Sequence, residues 1–498
     1  AAVTDKIPHL ESSLAVAELT VALHYVLNTP EDVLVWDVGH QGYIHKALTG
    51  RMEELVNMRK PGGLSGFLKR DESPYDFFGA GHASTSISAL AGVCLADQVS
   101  GKSRQRVAVI GDGSLTGGQS FEALNHLGSL GADALVIIND NEGSIDATIG
   151  ALHHQQSYGT YVQSLGWQYT FLEQGNDVRA LVEALQHVLA QPGPQTLHIK
   201  TKRPDLSPPK SYKPGTTFQW WAAETMGVVL EKNLDIQLLS PAMFAGSGFG
   251  PLRELYPNRL IDTGINEAHT VSTAAGIVAA GGKAWVHIYS TFLQRAFDQL
   301  IHDVALQHLP VVFLVDRAGV VGSDGPTHHG VFDGDFLINI PGATVWNPRN
   351  GNELQGMLLE AAARTLEGPL FIRYPKSRTE GGTPKDFVAY EWLQKSEGSS
   401  LWLSTGALSD LIKKGQNHLH LGQNWPFSAD FGAILSDFEE IHVFEESTGF
   451  GGLAGAVSAL MAELDHPGKC ITHKLPLEFI EHGPRLELLR EHGFNNFL

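Results

Sequence analysis

RVAVIGDGSLTGGQSFEALNHLGSLGADALVIINDN, residues 106–141, sets two short apolar runs around one helical pattern. Arg106–Ile110 reads as a buried strand, Ser120–Leu130 carries apolar residues at helical spacing, and Ala134–Ile138 reads as the next strand. A strand–helix–strand unit of this kind joins parallel neighbours by a right-handed crossover. Gly111-Asp112-Gly113 follows the first strand directly, and Asn139-Asp140-Asn141 ends the second. Asp112 and Asn141 are therefore expected at the carboxyl ends of adjacent parallel strands, where α/β sheets place their ligands.

The residue types at those strand ends suit one chemistry. Mg²⁺ is a hard cation that takes oxygen ligands and is commonly shared between one or two protein oxygens and a phosphate group. Asp112 offers a carboxylate and Asn141 an amide oxygen. Gly111 and Gly113 let backbone approach closely, and Gly117-Gly118 lead into a helix whose first N–H groups can face a diphosphate. Asp-Gly alone is a common turn. Its pairing with Asn-Asp-Asn across a strand–helix–strand unit is far more specific.

Outward from this segment the alternation of short apolar runs and helical patterns continues. Arg203–Thr217 (RPDLSPPKSYKPGTT) is a linker by composition. Strand candidates follow at Ala284–Tyr289, Val311–Val315 and Leu370–Arg373. After a polar junction at Thr379–Lys385 come Ser400–Ser404, Ile441–Phe444 and a Gly-rich helix start at Gly449–Val457. The predicted architecture is three consecutive doubly wound α/β domains, at residues 1–202, 218–378 and 379–498, with 203–217 as linker. Gly246–Gly250 (GSGFG) follows no strand and lacks a full dinucleotide-loop pattern, so it is expected to be a flexible turn.

Composition removes several classes of function. With 43% hydrophobic and 18% charged residues the chain is globular, and its net charge of −19 gives no basic footprint for nucleic acid. No run of 18 apolar residues exists for a membrane span, and Ala1–Asp5 is no signal peptide. The chain begins within a domain, which leaves a removed transit peptide open; the expected location is the cytoplasm, or a plastid in that case. Cys94 and Cys470 are expected as free thiols. The histidine pairs His153-His154 and His328-His329 and the triplet His418–His420 lack ligand spacing and a cysteine partner, so structural zinc is not expected.

The paired GDG and NDN words resemble the thiamine-diphosphate fingerprint of the transketolase superfamily. Longer words narrow the likeness. Glu18–Val26, Val35–Arg51 (VWDVGHQGYIHKALTGR), Gly62–Ser73 (GGLSGFLKRDES) and Gly81–Ser88 (GHASTSIS) resemble the 1-deoxy-D-xylulose-5-phosphate synthases. So do Ile288–Leu306, Asp316–Asp333 (DRAGVVGSDGPTHHGVFD), Ile372–Pro375 and Phe479–Gly483. The resemblance implies a transferase that joins pyruvate to glyceraldehyde 3-phosphate, releases CO₂, and serves isoprenoid and thiamine biosynthesis. It implies thiamine diphosphate and Mg²⁺, a homodimer, a diphosphate-binding first domain, a pyrimidine-binding second domain, and a site between them.

Roles follow from the same resemblance, residue by residue. Glu267 matches the glutamate that protonates the aminopyrimidine, and Phe292 the aromatic that stacks on it. His40, His82, Ser84, Gly113, Ser114 and Asn141 match cofactor contacts, and Asp112, Asn141 and the backbone of Gly143 match metal ligands. His9, Tyr289, Arg295, Arg317, Asp324, His328 and Arg373 match substrate contacts. Arginine suits a phosphate through its planar fork. His9, His40 and His328 are also candidates for proton transfer. His45, His302 and Glu122 sit in matching words without an assigned role.

The chain departs from the family pattern in five places. Ile7–Ser13 replaces a glycine-rich stretch around the first histidine, and Gly143 stands where the family has methionine. Lys200–Pro214 keeps Lys202 but is otherwise a proline-rich linker, and the segment between His154 and Leu165 is short. An N-terminal stretch usual in the family does not precede residue 1, as in a trimmed or reduced member. Three functions remain open: an active synthase, a degenerate homologue that binds the cofactor with little turnover, and another ketol transferase distinguished by its donor.

Overall fold

The computed structural model describes residues 10–79, 81–141, 148–154, 157–204, 214–413 and 416–498. His9 and Gly143, and residues 205–213 of the expected linker, lie outside the described residues. The chain divides into two compact units, Ala1–Lys210 with Gly264–Asn266, and Ser211–Thr263 with Glu267–Leu498.

The first unit is built on strands β1 (Val33–Asp37), β2 (Arg106–Gly111), β3 (Ala134–Asp140), β4 (Gln168–Leu172) and β5 (Pro194–Lys200). They pair in the order β1-β2-β3-β5-β4, every pair parallel. β1, β2 and β3 are largely apolar on both faces because both faces are covered, while the edge strand β4 is partly exposed. Val35, Ile110, Val136 and Ile138 pack with Leu90 and Leu124 of the helices Ser86–Ser100 and Gly118–Leu130. Trp36, Val109, Ile137 and Leu197 pack on the other side with Leu19 and Leu185 of the helices Ala17–Val26 and Val178–Leu189. This is the doubly wound arrangement that Arg106–Asn141 predicts. Gly101 and Gly131 end the two helices of the first face in the left-handed region, where glycine carries no Cβ penalty.

The second unit holds two sheets. One comprises β6 (Ile236–Ser240), β7 (Leu260–Asp262), β8 (Lys283–Tyr289), β9 (Val312–Asp316), β10 (Thr344–Trp346), β11 (Leu370–Tyr374) and β15 (Gln423–Trp425). The other comprises β12 (Tyr390–Gln394), β13 (Ser400–Thr405), β14 (Asn417–Leu421), β16 (Glu440–Phe444) and β17 (Lys469–His473). Their orders are β15-β10-β11-β9-β8-β6-β7 and β12-β14-β13-β16-β17. All pairs are parallel except β10–β15 and β12–β14. β15 lies in sequence beyond the polar junction at 379–385, yet it hydrogen-bonds to β10, and Trp346 donates its indole N–H to Gln423 at 3.0 Å.

One local detail differs from the sequence reading. GSGFG is a buried turn instead of a flexible one. Gly246 accepts a hydrogen bond from Arg317, and a Cβ at that position would meet the Tyr289 hydroxyl at 2.7 Å. The histidines of His418–His420 are bonded within the fold: His418 to Ser404 at 2.6 Å, and His420 to Ser409 and Glu353. The Gly-rich start of the helix Leu453–Glu463 serves close packing, as expected. A Cβ at Gly452 would collide with Glu445, whose carboxylate accepts from the N–H groups of Leu453 and Ala454.

Burial, together with the neighbouring His420, pushes the His418 imidazole from 6.5 down to about 4, and burial beside His442 does the same to His473. In both cases the unfolded chain binds the proton more tightly, so stability is complete above pH 6.5 and is lost as pH falls toward about 4. The denaturation midpoint of the second unit is therefore expected to drop between pH 7 and pH 5, and substituting His418 with Asn should flatten that dependence.

Candidate functional site

The expected site residues fall into two groups, one on each unit. On the first, Gly111 and Asn139 are register partners, so the segments that follow β2 and β3 leave the sheet side by side. Asp112 opens a short helix, Asp112–Leu115, and is 1% exposed. Its carboxylate accepts from the Thr148 hydroxyl at 2.8 Å and lies 3.8 Å from Nδ1 of His153. Burial drives the Asp112 carboxyl up to about 6; the Thr148 hydrogen bond works against this and the like charge of Asp140 adds to it.

Asp140 is the middle residue of Asn-Asp-Asn, and its carboxylate meets Nε2 of His198 at 3.1 Å. Nδ1 of His198 in turn meets the Tyr169 hydroxyl at 2.7 Å. Asp112, Asp140 and His153 each bring a ligand atom within 4.8 Å of the others, a span that one metal ion could bridge. His153 therefore belongs to a metal-capable cluster after all, not as part of a His-His pair but through the fold. Asn141, half-buried, follows directly on Asp140.

A second layer fixes the floor of this group. Asp37, at the end of β1, accepts from the backbone N–H of Ser84 and of Ser86, both at 3.0 Å. Gln41 donates to the Asp37 carbonyl and accepts from the Asn139 amide. Thr201 donates to the Asn139 oxygen at 2.6 Å. Ser84 sits at φ +74° and donates to the carbonyl of Ser114, so these two expected cofactor contacts do meet. Gly113 is buried in the same short helix, and His82 is half-buried just ahead of Ser84. His40, half-buried in the turn Gly39–Gly42, lies edge-on to Phe67.

Gly117 caps the helix Gly118–Leu130, and a Cβ there would stand 2.2 Å from the Ser84 hydroxyl. Gly117→Ala is expected to cost about 1–3 kcal/mol by overpacking. Adding Ser84→Gly, which suits the left-handed backbone, should recover most of it in thermal melts.

On the second unit, Glu267 opens the helix Glu267–Ala279 and is 6% exposed. Burial raises its carboxyl above the usual range, against the pull of Arg295, whose guanidinium lies 3.6 Å away. Tyr289 and Phe292, at the end of β8 and on the turn after it, stack with ring centres 5.3 Å apart and planes 12° from parallel. The His328 ring meets Phe292 edge-on at 5.5 Å, and the Thr327 hydroxyl contacts its Nδ1 at 2.8 Å. The neighbouring His329 is structural: buried, it accepts from the Val321 N–H.

The arginines expected at the substrate's phosphate are engaged with carboxylates. Arg317 bonds Asp316 at 2.6 Å and lies 3.6 Å above the Tyr289 ring. Burial would raise the Asp316 carboxyl, but Arg317, His287 and Gln219 hold it down at about 2. Arg373 forks onto Asp333 with two bonds of 2.7 Å and donates to Asn347. Asp324 pairs with Lys376 at 2.8 Å. Of the residues without an assigned role, His45 lies in the buried network of Asp76 and His24, and His302 pairs with Asp303 on the surface.

Sequence reasoning passed over Asp140, Thr148, His153, His198 and Thr201. The middle position of Asn-Asp-Asn was a usable signal for Asp140. His198 is the register partner of Ile138, which only the placement of β5 beside β3 reveals.

Comparison with known proteins gives a consistent result. The family model described as 1-deoxy-D-xylulose-5-phosphate synthase matches residues 1–159, and the one for the pyrimidine binding domain of transketolase matches residues 217–381. The chain is 37% identical to the 1-deoxy-D-xylulose-5-phosphate synthase of Methylobacillus flagellatus over 98% of its own length and 91% of the relative's. It is 38% identical to the enzyme of the same name from Chlorobium luteolum, over 98% and 90%. Among solved structures it is similar to transketolases from Leishmania mexicana, at 15% identity, 98% and 94% coverage and a TM-score of 0.47, and from Campylobacter jejuni, at 13%, 99%, 97% and 0.48.

Proposed function

Because the chain belongs to the 1-deoxy-D-xylulose-5-phosphate synthase family, we propose the following division of labour among its residues for that family's reaction. Pyruvate condenses with D-glyceraldehyde 3-phosphate, CO₂ leaves, and 1-deoxy-D-xylulose 5-phosphate forms. Thiamine diphosphate, implied by the family and its pyrimidine-binding domain, supplies when bound the carbon nucleophile and the electron sink. Residues 1–202 are the diphosphate-binding domain, 218–378 the pyrimidine-binding domain and 379–498 the C-terminal domain.

One observation carries the reading: a buried glutamate, Glu267, whose carboxyl burial pushes upward, opening a helix that packs on β8 and on the turn Gln294–Ala296 just after Phe292. A protonated carboxyl can donate a hydrogen bond to a ring nitrogen. Arg295, 3.6 Å away, works against that rise. Phe292, backed by the parallel ring of Tyr289, offers a flat surface to an aromatic ring. His328, next to Phe292, holds or moves a proton at the reacting substrate, with Asp324 close in sequence.

The first unit fits a cation with a diphosphate. Its buried acids at the ends of β2 and β3 would be unfavourable without a counter-charge. Asp112 and Asn141 would hold Mg²⁺ with the backbone of Gly143, and Gly113, Ser114, Ser84, His82 and His40 would contact the cofactor. Asp112→Ala is expected to weaken Mg²⁺-dependent binding of thiamine diphosphate by roughly 100-fold or more, as read by titration calorimetry. Arg295, Arg317 and Arg373 are assigned to the acceptor's phosphate and its surroundings, where the phosphate would share them with Asp316 and Asp333. His9 completes the donor side.

Two free cysteines and bacterial relatives fit a cytoplasmic protein. The homodimer is carried over from the family, and sedimentation with cofactor present tests it. No helix among the described residues is long and apolar enough to cross a membrane. The decisive assay is product formation from pyruvate and glyceraldehyde 3-phosphate with thiamine diphosphate and Mg²⁺. Turnover with a ketose phosphate donor in place of pyruvate would point to another ketol transferase, and no turnover with either to a degenerate homologue.

A further inference from the structure

We infer that His153 is a ligand of the divalent cation in this chain, which makes the centre a mixed carboxylate–imidazole site with a preference for Mn²⁺ over Mg²⁺. The inference rests on the reading that a cation sits at Asp112, and adds to it a donor outside the expected oxygen set.

Three donors converge at the ends of β2 and β3. Asp112, Asp140 and His153 each place a ligand atom within 4.8 Å of the other two, and both carboxylates are buried. The nearer imidazole nitrogen, Nδ1 of His153, lies 3.8 Å from Oδ2 of Asp112, too far for a direct hydrogen bond and short enough for a shared ion. The same nitrogen is 3.1 Å from the Tyr158 hydroxyl, a contact that a bound cation would replace. Tyr158 is fully buried, with its ring edge-on against His198.

Behind the cluster stands the support a metal ligand needs. His198 holds Asp140 through Nε2 and is itself held at Nδ1 by Tyr169, while Thr148 orients Asp112. Outer partners of this kind set the orientation and basicity of the inner ligands. His153 follows Ala151 in a short helix that returns toward Asp112, and it is this return that adds nitrogen to the donor set.

The identity of the ion follows from the donors. Mg²⁺ demands near-ideal octahedral oxygen ligation and gives up its water reluctantly. Imidazole nitrogen favours transition cations, while carboxylate and carbonyl oxygen are compatible with both Mg²⁺ and Mn²⁺. Two carboxylates and one imidazole therefore shift the balance toward Mn²⁺ relative to an all-oxygen centre.

The test is a Mn²⁺ titration followed by electron paramagnetic resonance, with thiamine diphosphate present and Mg²⁺ as competitor, on the parent chain and on His153→Ala. The parent is expected to hold Mn²⁺ at least about tenfold more tightly than Mg²⁺. His153→Ala should lose about tenfold or more in Mn²⁺ affinity while Mg²⁺ changes little. Equal or absent effects on both ions would overturn the ligand role and leave the cation at Asp112 standing. Failure of the parent to bind either ion would remove both readings together. A spin-echo measurement on the parent, grown with ¹⁵N-histidine, needs no variant. A histidine nitrogen coupling to bound Mn²⁺ is expected, and its absence would overturn the proposal.

Discussion

Glu267→Ala is expected to lower 1-deoxy-D-xylulose 5-phosphate formation by roughly 10²–10⁴-fold while thermal melts stay close to the parent's. The side chain is almost wholly buried at a helix start, and its only ion-pair partner among the described residues is Arg295 at 3.6 Å. Removing it deletes the proton the aminopyrimidine would receive without leaving a buried carboxyl uncompensated. Glu267→Gln separates the roles further. Burial raises the Glu267 carboxyl in the fold, so the native state binds its proton more tightly than the unfolded chain does. Stability from this group is therefore present at low pH and declines as pH rises through the folded value. The glutamine variant should be inactive yet lose that decline, which denaturant titrations at a series of pH values upward from 4.5 would read. Near-normal turnover in either variant would remove Glu267 from the mechanism.

Asp333→Ala is expected to destabilise the second unit by about 3–5 kcal/mol, lowering its melting temperature by roughly ten degrees. Asp333 is fully buried, and Arg373, 9% exposed, lays both arms of its guanidinium on it at 2.7 Å. Truncating the acid removes the only carboxylate bonded to Arg373 among the described residues; Asn347 is the one other side chain there that accepts from it, and Glu445 and Glu446 act only at longer range. Removing both members with a well-packed apolar pair, such as Asp333→Leu with Arg373→Met, should be much milder, because the cost lies in the unpaired charge. A double variant as unstable as Asp333→Ala would show that Arg373 and Asp333 matter through shape.

Much of this was legible in local sequence because the deciding signals are local. Arg106–Asn141 contains two strands, the long helix between them and both ligand-bearing turns; the observed elements add a short helix at Asp112–Leu115 and otherwise differ at their ends, β3 running on to Asp140. Tyr289 and Phe292 lie three positions apart across a strand end and a helical turn, a spacing that brings their rings together. What stayed hidden depends on return of the chain from a distance. β5 inserts between β3 and β4, which puts His198 behind Asp140 although 58 positions separate them. His153 comes back to Asp112 across a segment with no periodic pattern, and adjacency to another histidine argued against a metal role. GSGFG looked loose because glycine is permissive; the reason for Gly246 is the Tyr289 hydroxyl that a side chain would strike.

The three residues of β15 carry a consequence for any attempt to treat the second and third blocks as exchangeable modules. Without β15 the outer side of β10 presents unpaired N–H and C=O groups, a template for joining another chain, and Trp346 loses the acceptor for its indole N–H. Because β15 follows β14 in the chain, no single cut leaves both sheets intact. A fragment ending at Arg378 should therefore self-associate into aggregates, and a domain graft made at the polar junction 379–385 would inherit the same open sheet edge.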